Sequence, residues 1–94
     1  MLDFHTIRDD QATSARGLNL ALVGGIEYEE FIVAQDASVV EPHLDYYGGF
    51  RWSSEQVQRK LALLIKLNNK ALERLASILK QAQAAECGVV ARGD

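Results

Sequence analysis

Cysteine, histidine and proline are almost missing from this chain: Cys87 and Pro42 stand alone, and His5 and His43 are the only imidazoles. A single cysteine excludes an internal disulfide, and without spaced Cys and His clusters a structural zinc site is excluded too. No metal is expected. Four of the seven glycines form the separated pairs Gly24–Gly25 and Gly48–Gly49, without the Lys-Ser or Lys-Thr ending that lets a loop cradle phosphates. Ser53, Ser54 and Cys87 lie outside any glycine-framed strand-to-helix turn that would present a nucleophile. The expectation is a protein that is not an enzyme and uses no cofactor.

Long hydrophobic runs are absent as well. The apolar stretches fall far short of the roughly 20 residues needed to cross a bilayer, and the start of the chain has no basic segment followed by an apolar run. A cytoplasmic location, away from the membrane, is expected.

The 94 residues are 48% hydrophobic and 24% charged, which suits one globular domain with one core. Charge is unevenly spread. Residues 1–52 hold nine acids against three arginines, a net −6, whereas residues 53–86 hold six bases against three acids, a net +3. An acidic body is joined to a basic C-terminal segment, which biases the approach of partners.

From Leu18 to Val23 apolar residues alternate as in a half-buried strand, with Leu20 and Leu22 on one face. Gly24 and Gly25 then suit a tight turn, so a bulged antiparallel hairpin is expected over about 18–23 and 26–34. The stretch from Ser38 to Trp52 reads as an aromatic loop. Ser53 or Ser54 suits a helix N-cap, and Val57, Leu61, Leu64, Ile65, Leu72, Leu75, Leu79 and Ala82 recur at three- and four-residue steps. One long amphipathic helix over 53–86 follows, with Gly88 as its stop and residues 87–94 as a flexible tail. The fold class is thus α+β, a small antiparallel hairpin or sheet with a long C-terminal helix, in a single domain over residues 1–86.

Such a helix would be about 50 Å long at 1.5 Å per residue, longer than a domain of this size is wide. Either it breaks at Asn68–Asn69, or it projects and packs on a second copy. A heptad frame with Leu61 and Leu64 at a and d puts Asn68 at a later a position, where one buried Asn can fix register. Leu61, Leu64, Asn68, Leu72, Leu75 and Leu79 are therefore candidates for a homo-oligomer interface.

For recognition, Tyr46, Tyr47, Phe50 and Trp52 offer large contact areas, two kinds of them with a polar handle. Arg59, Lys66, Lys70 and Arg74 form a stripe able to contact anions, although an overall charge of −3 makes nucleic acid an unfavourable partner. Glu41, His43 and Asp45 would share one side of an extended strand, where they could hold a metal or simply face water. These features point first to a small acidic protein-binding domain, an inhibitor, regulator or assembly factor of the kind found among phage, mobile-element or immunity proteins. The alternatives are a small-ligand or nucleotide-binding module with an interfacial pocket, and nucleic-acid binding through the basic stripe.

Overall fold

Two apolar stretches at opposite ends of the chain, Leu2–Ile7 (β1) and Gly88–Gly93 (β4), pair antiparallel in the middle of a four-stranded sheet. This is a computed structural model, and it describes residues 1–12 and 20–93. Ala21–Ile26 (β2) pairs antiparallel with β1, and Phe50–Trp52 (β3) pairs antiparallel with β4, giving the order β2-β1-β4-β3. The register aligns Phe4 with Ala91 and Ala91 with Phe50, so these side chains share a face with Leu2, Val89 and Trp52. That face carries the core.

The helices Tyr28–Asp36 (α1), Ser54–Leu67 (α2) and Glu73–Ala84 (α3) add Phe31, Ala34, Val57, Leu61, Leu64, Leu75, Ile78, Leu79 and Ala82 to the core, and the segment after α1 adds Val39, Val40 and Tyr46. The α+β class and the antiparallel strands are as expected from the sequence. Four specific expectations are corrected.

The glycine pair is not a turn. Strand β2 runs through Gly24 and Gly25 with a bulge, since Leu22 faces His5 and Gly24 faces Phe4 with Val23 left between them. Gly24 has a φ of +147°, and a Cβ there would lie 2.9 Å from Cγ1 of Ile78, so the missing side chain lets α3 lie directly on the strand. Leu22 is 62% exposed, while Leu18 and Asn19 of the expected strand lie outside the described residues.

Residues 28–36 are helix, not the second strand of a hairpin. Glu27 acts as N-cap, its amide donating to Oε1 of Glu30 at 2.9 Å while its own side chain accepts from the Glu30 amide. This reciprocal capping, with Phe31 and Ala34 turned inward, outweighs the β propensity of the Phe-Ile-Val run.

The long helix breaks at Asn68. Ser53 caps α2 as expected, accepting from the Gln56 amide at 3.2 Å. At the other end Asn68 is left-handed, with φ 48° and ψ 44°, and Oδ1 of Asn69 accepts from the Ala71 amide at 3.0 Å to open the short 3₁₀ turn Lys70–Leu72. Helix α3 then packs back on α2, which fits both within a molecule measuring 37 × 26 × 20 Å. Leu61, Leu64, Leu72, Leu75 and Leu79 are all buried within the single chain, and Asn68 is an exposed helix cap, not a seam residue. The expected oligomer interface is the protein's own core.

Residues 88–93 are no frayed tail. Val89, Val90 and Ala91 are buried in a central strand, flanked by β1 on one side and β3 on the other. Two-sided pairing explains why a short apolar run was enough.

Candidate protein-recognition surface

The aromatic residues of the 46–52 segment separate into two groups. Phe50 and Trp52 alternate to the helix side of β3, where Trp52 is buried and its ring lies 5.0 Å from Phe50 and 5.9 Å from Phe4. Trp52 belongs to the core and is corrected as a recognition residue, and the half-buried Phe50 packs against that core. Tyr46 is also buried. Its hydroxyl donates to the Ile26 carbonyl at 3.2 Å, which ties the loop to the end of β2. Burial, helped by the charges of Glu27 and Glu29, pushes the Tyr46 phenol above its ordinary pKa.

Tyr47 alone of the four expected residues faces outward, 64% exposed. The fold brings it a companion that sequence reasoning missed. Tyr28, the first residue of α1, is 48% exposed, and both rings meet Tyr46 edge-on at 90°, at centroid distances of 5.4 Å for Tyr28 and 5.0 Å for Tyr47. Tyr46 is thus a buried pillar between two exposed rings. The only signal for Tyr28 in the sequence was its place just after Glu27, which matters once Glu27 is seen to be a helix cap.

Acidic residues flank both tyrosines along the chain. Glu27 precedes Tyr28 and Glu29 follows it, while Oδ1 of Asp45 accepts from the Tyr47 amide at 3.0 Å and fixes the turn that presents the ring. Among the described residues the ion pairs are Arg8–Asp10, Lys60–Glu41 and Arg74–Glu30, so Glu27, Glu29 and Asp45 have no cationic partner there.

Glu41, His43 and Asp45 do not line up along a strand, because 41–49 is a succession of turns. Glu41 instead bonds the Lys60 ammonium and accepts from Nε1 of Trp52, His43 is exposed, and Asp45 serves Tyr47. Among the described residues no group of three His, Cys, Asp or Glu side chains could hold a metal ion. Of the basic stripe, Arg59, Lys66 and Lys70 are exposed on the helices, and Arg74 lies 3.6 Å from Oε1 of Glu30. Ser38, Glu41, Gln56, Arg59, Lys60 and Leu63 line a shallow cleft beside α2. No helix among the described residues is long and apolar enough to cross a membrane. No protein family, curated protein or solved structure matches the chain.

Proposed function

We propose that this is a non-enzymatic protein-binding domain of regulator or inhibitor type, and that it recognises its partner through Tyr28 and Tyr47. The observation that carries this reading is the pair of exposed tyrosines that each pack edge-on against a buried third. A tyrosine at such a place brings a large amphipathic contact at little cost in side-chain entropy, as at protein-binding hot spots. Contact with the buried Tyr46 ring limits the freedom of the exposed rings, which favours a lower ordering cost of association.

The rival readings have weaker support. For a small ligand, the cleft beside α2 offers Lys60 and Glu41, but these two charges already neutralise each other. For nucleic acid, the basic stripe has Arg74 engaged by Glu30. Self-association enters the reading only through Ile65 and Leu67, exposed 61% and 42% on the helical hairpin, and light scattering at high concentration tests it by a mass above 10.4 kDa.

The decisive experiment is affinity capture from the native host with mass spectrometry, comparing the wild type with a Tyr28→Ala/Tyr47→Ala double variant. Both side chains are exposed, so the variant is expected to fold normally. A specific partner lost in the double variant is the expected result. A partner retained at full strength would refute the assignment of the surface.

A further inference from the structure

The acids Glu29 and Asp45, close in sequence to the two exposed tyrosines, differ from Glu30 and Glu41 in lacking a cationic partner among the described residues. Glu30 contacts Arg74 and the Glu27 amide, and Glu41 contacts Lys60 and Trp52. Glu29 and Asp45, by contrast, are exposed residues within two positions of Tyr28 and Tyr47 in the chain, and although Asp45 accepts from the Tyr47 amide, neither has an ion-pair partner among the described residues. We propose that the Tyr28–Tyr47 surface binds a positively charged, arginine- or lysine-rich segment of a partner protein, with its cations against the tyrosine rings and the Glu29 and Asp45 carboxylates. This rests on the reading of that surface as a protein contact and names the chemistry of what it contacts.

The face of an aromatic ring carries negative quadrupole potential that attracts ammonium and guanidinium groups, and guanidinium also stacks on the plane. Both rings meet Tyr46 at 90° and stay substantially exposed, Tyr28 at 48% and Tyr47 at 64%. Residues 1–52, with a net −6, add a longer-range field of the same sign. A neutral apolar partner would have to desolvate the carboxylates without compensation, and an acidic or nucleic-acid partner would be repelled.

The test is an NMR titration of the full chain with an oligo-arginine peptide, and with an oligo-glutamate peptide as control. The expected shifts centre on the amides of Tyr28, Glu29, Tyr47 and Gly48, with affinity falling steeply as salt rises. Tyr47→Leu is expected to weaken binding about tenfold and Glu29→Gln several-fold, while Tyr47→Phe, which keeps the ring quadrupole, stays within about twofold of wild type. Shifts centred on Asp9 and Asp10, or equal affinity in Tyr47→Leu, would overturn the proposal. So would self-association that Tyr47→Leu abolishes, because the cations would then belong to a second copy. A host protein that is lost in the Tyr28→Ala/Tyr47→Ala variant but not competed by oligo-arginine would overturn this inference and leave the protein-contact reading intact. Capture unaffected by that double variant would remove both.

Discussion

The ammonium of Lys60 lies 4.5 Å over the ring of Trp52, and the two side chains share one carboxylate, that of Glu41. Nζ of Lys60 also donates to the Val39 carbonyl at 2.6 Å. One knot thereby joins α2, β3 and the turn after α1, and it holds in place the segment that ends in Tyr46 and Tyr47.

This knot sets a pH dependence. Burial alone would raise the pKa of Glu41, but the hydrogen bonds from Lys60 and Trp52 outweigh it and hold the carboxyl below its ordinary value. A carboxylate depressed in the folded state stabilises fully above its unfolded pKa of about 4.3, and that contribution disappears as pH falls through the lower folded value. Asp9 behaves alike, lowered by the side-chain and backbone hydrogen bonds from Ser54. Glu41→Gln is expected to be less stable than wild type at pH 7 and to lose less of its melting temperature between about pH 5 and pH 3. Parallel curves for the two proteins would disprove the role given to Glu41.

At Asn68 the two readings of the helical segment demand opposite outcomes. In a coiled-coil seam, Asn68→Leu would replace a buried amide by an apolar side chain and stabilise the assembly. In the observed hairpin it forces leucine into the left-handed region at φ 48°, costing about 1 kcal/mol or more. A drop in melting temperature of about 4–8 °C is expected, with Asn68→Gly at or above wild type. Thermal melts of the three proteins settle it.

Helix α3 ends in a similar but less suitable residue. Glu86 adopts φ 57°, and the next amide, that of Cys87, donates to the Ala82 carbonyl at 2.9 Å in the manner of a Schellman cap. Glycine takes this conformation without a Cβ penalty. Glu86→Gly is therefore expected to stabilise the fold by about 1 kcal/mol, measured by urea unfolding with an unchanged m value.

The last strand is expected to be indispensable. Removing residues 88–94 takes away one of the two central strands and leaves β1 and β3 without a shared neighbour, so the truncated chain should show no cooperative unfolding transition. Gly88→Ala is a milder version, since its Cβ would press into the carbonyl oxygen of Trp52 and the backbone of Ser53. A loss of about 1–3 kcal/mol is expected from such overpacking. In the wild type, hydrogen exchange should be slowest in β1 and β4.

What the sequence by itself determined was local. The Ser53 cap, the inward stripe of Val57, Leu61 and Leu64, the α+β class and the suspicion attached to Asn68–Asn69 all follow from short-range spacing, because caps and amphipathic faces are written within a turn or two of chain. Within the candidate site, Tyr47 could be picked out beside its glycines, yet nothing local distinguished it from Tyr46, Phe50 and Trp52. Only the tertiary structure decided which rings became pillar, core or surface, and it brought Tyr28 from another element to complete the pair. It also decided that Gly24 is a landing place for Ile78, that the leucine stripe is covered from within, and that Val89–Ala91 form the middle of the sheet. The physical reason is the same in each case: a short apolar run or a glycine has several acceptable local conformations, and the choice falls to partners distant in the chain whose burial outweighs local preference.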